Sequence, residues 1–281
     1  MKLIFIILSF LFSQNVPYFN GDQAFQFLVE QCEIGPRFPG SEGHVKTKKY
    51  FENYLSDKSH KLEIMNENIK HPYKDLQLEL TNYMARFYPE RENRIMFMAH
   101  WDTREIADKD PIKENRKLPI LGANDGASGI SILMVLADIL INNPLNNIGV
   151  DLLFLDGEDM GQSGDIDGFG LGTLEFTKNM PLPLPKYAIC LDMVADKEPS
   201  FPFEIFSLQQ APQLVYKVWD IANDLGYYQF KREIGQAVYD DHRVLFLHSG
   251  IPSIDIIDFE YPNADTNFWH TLSDIPENCS K

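Results

Sequence analysis

Polar and apolar residues alternate over Glu63–Lys70 and again over Leu76–Phe87. A period of two predicts paired strands, each with one buried face. Four nearly continuous apolar runs then appear, at Arg94–Ala99, Ile148–Leu155, Tyr187–Val194 and Ile251–Ile257. Such runs read as strands covered on both faces, as in a parallel sheet. A further strand is expected at Phe203–Leu208.

Between the runs the period changes. Gly126–Asn142 carries Ile130, Leu133, Met134, Ala137, Leu140 and Ile141, the i, i+3, i+4 spacing of a helix packed on a sheet. Helices are also predicted over Asp22–Ile34 (with Asp22 as N-cap), Gly43–Leu55, Phe169–Asn179, Pro212–Leu225 and Asp241–His248. Gly35–Ser41 reads as a turn and Thr103–Pro119 as a charged loop. Strands alternating with helices, undivided by a linker, predict a single α/β domain over residues 16–281. Its central sheet should be mixed but mostly parallel and flanked by helices, the early alternating pair supplying the antiparallel part.

The chain opens with Met1-Lys2 and an apolar run from Leu3 to Phe12. That run is too short to span a bilayer and fits a secretory signal peptide over residues 1–15, although Ser13-Gln14-Asn15 is not a small-x-small cleavage site. A buried N-terminal strand or helix is the alternative. The expectation is a secreted or periplasmic protein with no stable membrane association after processing.

Charge narrows the partners. Lys and Arg number 25 against 41 Asp and Glu, a formal net charge of −16. A surface without a cationic face excludes nucleic acid and anionic membrane, and it suits a cationic peptide amine. The three cysteines, Cys32, Cys190 and Cys279, are too few for a disulfide scaffold and lack metal-type spacing.

Ligands in open α/β sheets bind beyond the carboxyl ends of the strands. Reading those ends yields His100-Trp101-Asp102, then Asp125 at the head of the long helix, Glu158-Asp159, Asp192, Asp240-Asp241-His242 and Trp269-His270. A lone carboxylate at such a place is commonly a cap or turn residue. Several in one crevice repel one another unless a cation neutralises them. Histidines among Asp and Glu are ligands that zinc accepts, and a catalytic zinc takes three of them. The adjacent Glu158-Asp159 pair can divide its labour, one carboxylate to metal and one to proton transfer. His44, His60, His71 and His248 have no carboxylate at metal spacing and are expected in solvent-exposed or capping roles. His242 reads either as a helix cap or as a pocket neighbour, and Trp101 as core or pocket wall.

From Gly35-Pro36-Arg37 to the C-terminus these elements resemble the zinc-dependent M28 aminopeptidase superfamily: His-x-Asp at 100–102, Gly-Ala-Asn-Asp at 122–125, the acidic pair, Asp192 and His270-Thr271. Within it the chain is most similar to the animal-type glutaminyl-peptide cyclotransferases and their bacterial relatives. That likeness rests on Asp240-Asp241-His242, on Trp269 directly before His270, and on Ala99–Arg104 followed by Ala107-Asp108-Lys109-Asp110. The resemblance implies one Zn²⁺ held by Asp125, Asp159 and His270. It gives catalytic roles to Glu158 as acid/base and to Asp192 and Asp240 as partners in a hydrogen-bond network. Trp269 becomes a substrate wall. Apart from the likeness, Asp102 reads as the partner that orients the His100 ring, with a turn-forming role as the alternative.

The implied substrate is a peptide or protein N-terminus, whose Gln closes to pyroglutamate with loss of ammonia. The cyclases carry a tryptophan several residues beyond the acidic pair. The segment Met160–Phe169 has none, and Phe169 is the candidate substitute. Asp165-x-Asp167-Gly168 lacks the remaining ligands of a calcium loop and reads as a turn. Two other readings stay open. In a dinuclear zinc aminopeptidase, His100 and Asp192 would hold a second metal. In an inactive binding domain of the same fold, neither metal site would be used for chemistry.

Overall fold

The computed structural model describes residues 16–281; the segment read as a signal peptide lies outside them. Helix α1 (Gly21–Ile34) opens the domain. Its cap is Asn20, whose side chain accepts the Gln23 N–H at 3.2 Å, and not Asp22 as expected. Asp22 sits instead in the first turn, where a negative charge suits the helix dipole. Ser41 caps α2 (Glu42–Ser56) in the same way.

The alternating segments form β1 (Lys61–Lys70) and β2 (Gln77–Phe87). The apolar runs form β3 (Arg94–His100), β4 (Gly149–Leu155) and β5 (Ala188–Asp192). Between these lie α3 (Ala127–Asn142) and α4 (Leu171–Lys178).

The expected strand at Phe203–Leu208 is corrected. Only Phe201–Phe203 is extended, as β6, and Ile205–Gln210 is a helix, α5. The reason is Glu204, whose carboxylate accepts the N–H groups of Phe206 at 2.8 Å and Ser207 at 2.6 Å and so starts a helical turn. β6 pairs in parallel with β7 (Phe230–Ile234), which follows α6 (Pro212–Asp224), in a small separate sheet. The chain then forms α7 (Asp241–Ser249) and β8 (Ser253–Ile257).

The central sheet runs β1-β2-β4-β3-β5-β8. The β1-β2 and β2-β4 pairs are antiparallel, and the remaining three are parallel, as the patterning predicts. One core cluster gathers side chains of α1, α2 and α3 with Phe154, Leu152, Ile254 and Trp219. A second lies on Met96, Met98 and Leu153 beneath Phe176 of α4 and Leu245 of α7. α3 lies so close to the sheet that a Cβ on Gly129 would meet the Leu191 carbonyl oxygen at 2.1 Å. This contact holds the head of α3 against the ends of β3 and β5, where the chemistry-bearing residues lie. Among the described residues, no helix is long and apolar enough to cross a membrane.

Candidate active site

The parallel strands end side by side. His100 is the last residue of β3 and Asp192 the last of β5. β4 exits into Asp156–Asp159, a turn made possible by Gly157 at φ +67°. Asp125 immediately precedes Gly126, the N-cap of α3. His270 arrives from the C-terminal loop in a left-handed conformation, φ +56°. A non-glycine residue persists there only when its surroundings hold it. All five side chains are buried.

Two groups of donors result, and they share Asp125. His270 Nε2 lies 3.2 Å from Asp159 Oδ1 and 3.6 Å from Asp125 Oδ2. His100 Nε2 lies 3.2 Å from Asp125 Oδ1 and 3.3 Å from Asp192 Oδ1. In each group the donor atoms fall within 4.8 Å of one another, close enough to share one metal ion. Asp125 Oδ2 and Asp159 Oδ2 are buried with no hydrogen-bond partner. Buried carboxylate oxygens without partners are costly unless a cation meets them. The Asp125, Asp159 and His270 set therefore fits zinc in donor type, number and spacing.

Outer residues hold these donors. Asp108 Oδ1 lies 3.3 Å from His270 Nδ1, and Arg104 binds both Asp108 and Asp159, donating from Nη1 to Asp159 Oδ1 at 2.8 Å. Asp102 lies 3.5 Å from His100 Nδ1 and also accepts the backbone N–H groups of Glu158 and Asp159. Asp274 accepts those of Asn124 at 2.8 Å and Asp125 at 3.1 Å. Arg37 is fully buried and donates to the carbonyls of Trp101, Leu121 and Gly122.

The neighbours Glu158 and Asp159 are driven apart. Burial, and then the charge of Asp240, hold the Glu158 carboxyl well above the ordinary range. Burial acts on Asp159 too, but His270 and Arg104 outweigh it and keep that carboxylate ionised below its usual value. The two neighbouring carboxyls thus differ in proton affinity, Glu158 favouring the protonated form and Asp159 the ionised one. Asp192 is pushed up to about 7 by burial, against the pull of His100.

The expected network between Asp192 and Asp240 takes a different form. No hydrogen bond joins them among the described residues. Asp240 caps α7 through the Asp241 N–H, and its Oδ2 meets Cys190 Sγ at 3.4 Å. Trp269 stacks on His270, ring centroids 3.7 Å apart, and Phe259 packs at a tilt against it at 4.9 Å. These aromatics, with Phe169, Tyr239 and Gln162, line a cleft of about 230 Å³. Phe169 thus stands in the same wall as Trp269.

His44, His71 and His242 belong elsewhere than the sequence predicts, whereas Trp101 takes one of its two expected places and Asp165 the expected turn. His44 is buried, not exposed: its Nε2 lies 2.8 Å from Asp156 Oδ2, and its ring stacks on Trp101. Trp101 is core, donating its indole N–H to Thr81 O at 3.1 Å. His71 is also buried and accepts the Tyr73 N–H at 3.1 Å. His242 neither caps α7 nor lines the cleft; it pairs with Glu204 at 3.0 Å below the site. Asp165 forms a local turn, accepting the Asp167 N–H. Arg104, Asp108, Asp274, Phe259 and Tyr239 were not marked as site residues. The Ala99–Arg104 and Ala107-Asp108-Lys109-Asp110 stretches signal Arg104 and Asp108, as part of the family likeness and without a role attached.

A mostly parallel sheet whose carboxyl edge gathers two Asp-sharing groups of His and carboxylate donors is an α/β fold of the zinc exopeptidase-like class. The profile of Peptidase family M28 matches residues 82–281, and the chain belongs to that family. Its fold is similar to that of a Bacteroides thetaiotaomicron glutaminyl cyclase, with 32% identity, TM-score 0.90, and 95% of this chain and 94% of that one covered. A Zn-dependent exopeptidase from Parabacteroides distasonis shares 34% identity at TM-score 0.89, covering 94% of each chain. A Tannerella forsythia glutaminyl cyclase shares 33% at TM-score 0.88, again covering 94% of each. No curated protein matches the chain by sequence.

Proposed function

We propose that the chain is a zinc-dependent glutaminyl-peptide cyclotransferase, converting the N-terminal Gln of peptides to pyroglutamate and ammonia. The observation that carries this reading is Asp240, a buried carboxylate outside both active-site donor groups whose charge acts on Glu158. An aminopeptidase site is complete with His100, Asp125, Asp159, Asp192 and His270, and it leaves Asp240 without a part in the reaction. Cyclisation gives Asp240 a task. One carboxyl must take a proton from the attacking α-amine and deliver it to the departing ammonia. A group serves both steps best when its proton affinity lies near the working pH. Burial and Asp240 raise Glu158 in that direction.

Asp125, Asp159 and His270 would hold the zinc, which supplies a Lewis acid for the γ-carbonyl oxygen. The remaining work belongs to the chain. Trp269, Phe259 and Phe169 form an apolar wall for the folded Gln side chain and exclude water. Asp108 and Arg104 keep His270 and Asp159 fixed while the proton moves at Glu158. The likeness to cyclases at 32% and 33% identity supports the same reading.

The second reading is a dinuclear aminopeptidase, favoured by the spacing of His100, Asp125 and Asp192. Two substrates separate them. With Gln-arylamide, a cyclase yields the pyroglutamyl product by mass without freeing the arylamine. With Leu-arylamide, an aminopeptidase frees it. Arylamine release from the leucine substrate, without pyroglutamyl product from the other, overturns the cyclase.

A further inference from the structure

The loop from Met160 to Phe169 joins the acidic pair to α4 and forms a large part of the aromatic cleft. Residues 162–166 and Phe169 line that cleft, beside Tyr239, Phe259 and Trp269. The root of the loop is fixed by backbone bonds. The Gly170 N–H donates to the Glu158 carbonyl at 2.9 Å, and the Leu171 N–H to that of Gly157 at 3.1 Å. The outer part has less to hold it. Residues 162–167 are exposed. Their own backbone bonds close only local turns, Asp165 N–H to Gln162 O at 2.9 Å and Phe169 N–H to Ile166 O at 3.2 Å. A segment with so little buried surface keeps one shape only if something outside it holds it.

Among the described residues, two hydrogen bonds join this outer part to the rest of the chain, and both end on Tyr73. Its hydroxyl accepts the Gln162 N–H at 3.0 Å and donates to Asp165 Oδ2 at 3.1 Å. Burial, and then the Asp165 carboxylate, hold the phenol above its ordinary range, so it keeps the proton it donates. The fit is close. A Cβ on Gly168 would meet the same hydroxyl at 2.2 Å, and one on Gly161 would meet the Phe169 ring at 2.0 Å. Tyr73 itself has a firm mount in the connection between β1 and β2. There the His71 N–H donates to Leu76 O at 2.8 Å, and the buried His71 ring takes the Tyr73 N–H at 3.1 Å. Tyr73 does not line the cleft; it lines a separate cavity of about 280 Å³.

We propose that Tyr73 is a positioning residue for the reaction of this site: its hydroxyl braces the Met160–Phe169 loop and so fixes the cleft wall on which the substrate's N-terminal side chain packs. This role rests on the cleft being the seat of the substrate, as proposed above. An exposed hydrogen bond contributes little by itself, but here one oxygen carries both. Without it the loop spends part of its time in shapes that lack the wall. Only the remaining fraction of molecules is ready to bind, and apparent affinity falls in proportion. Glu158 keeps its place, because the bond from Gly170 at the root of the loop does not involve Tyr73. The loss therefore falls on binding and not on proton transfer.

Tyr73→Phe keeps the ring and removes the oxygen. In Y73F the KM for the arylamide should rise about 5–10-fold, the loss of about one hydrogen bond, while kcat and zinc content stay within about twofold of the parent. Phe169→Ala should raise KM as well, and adding Y73F to F169A should raise it less than about twofold further, since both changes act on one wall. Hydrogen exchange read by mass spectrometry needs no turnover. It should quicken across residues 160–169 in Y73F and keep the parental rate in β4. An unchanged KM overturns the positioning role. If exchange is also unchanged, Tyr73 does not brace the loop; if exchange quickens, the loop is braced but the substrate does not lie against it. A fall in kcat at constant KM, or effects of Y73F and F169A that multiply in full, overturns it too. The kinetics use whichever arylamide the parent turns over, so failure of the cyclase assignment leaves this test intact.

Discussion

Asp102 Oδ1 accepts the backbone N–H of Glu158 at 3.0 Å, while Oδ2 of the same carboxylate takes the N–H of Asp159 at 3.2 Å. A residue read from the sequence as an orienter of the His100 ring therefore also anchors the turn that presents Glu158, the proposed acid/base, and Asp159, a candidate metal donor. Through it the end of β3 and the exit of β4 are tied together.

Asp102→Ala should accordingly lower zinc affinity or turnover by about 10–100-fold, the usual effect of removing a group that orients metal ligands. Zinc competition against a chromophoric chelator measures the first, and steady-state kinetics the second. Unchanged values for both would show that the turn holds its shape without Asp102.

Glu158→Gln should leave the metal in place and lower turnover by about 10²–10⁴-fold, because only proton transfer is lost. Asp159→Ala should lose metal together with activity, since two donors of the group would remain. Metal analysis beside kinetics for the two variants reads the division of labour directly. Near-normal turnover in E158Q, or stoichiometric zinc in D159A, would reverse it.

The strand ends, and with them the donor set, were legible because uninterrupted apolar runs leave little doubt where a buried strand stops. His100, Asp159 and Asp192 follow from those ends, whereas Asp125 is marked by the head of the long helix and His270 by the family likeness. What was not legible depends on partners distant in the chain. His44 and Asp156 are 112 residues apart, and Arg86, Arg94 and Asp151 form a fully buried ionic cluster across β2, β3 and β4. No local pattern announces such pairs. The misplaced strand at 203–208 has a different cause. Phe203, Ile205, Phe206 and Leu208 are apolar enough for a strand, and one side chain, Glu204, redirects the backbone by capping a turn. The direct Asp192–Asp240 bond is not formed because Asp240 is taken up elsewhere, capping α7 and meeting Cys190 Sγ of β5.

Arg37→Met should destabilise the fold by more than about 3 kcal/mol, because carbonyls left unsatisfied in the interior cost about 1–3 kcal/mol each. Its guanidinium serves Trp101, Leu121 and Gly122 at 2.8–3.0 Å, so the damage falls on the loop leading to Asp125. Urea unfolding gives the stability loss. Arg37→Lys should recover only a fraction of it, since an ammonium lacks the planar fork. Full recovery by lysine would show that charge, not geometry, is what the site requires.

Asp258 follows β8 at the same sheet edge, and burial raises its carboxyl from 3.8 to about 6 against the N–H donors of Ser200 and Glu260. The sign of the linkage runs opposite to that of an ion-paired aspartate. A group that binds its proton more tightly when folded favours the folded state at low pH. That advantage disappears as pH rises from the unfolded value through the folded one. The parent protein should therefore lose stability from this residue between about pH 4 and pH 6, and lose no more above about pH 7. Asp258→Asn removes the titration and leaves a fixed offset from altered hydrogen bonding. The unfolding midpoint of the variant minus that of the parent should move in the variant's favour from pH 4 to pH 6, then level off. The shape of that difference curve, not its height, is the test. A difference that stays flat, or that moves in the parent's favour over the same interval, would mean that Asp258 is ionised in the folded protein throughout and that its two backbone donors outweigh its burial.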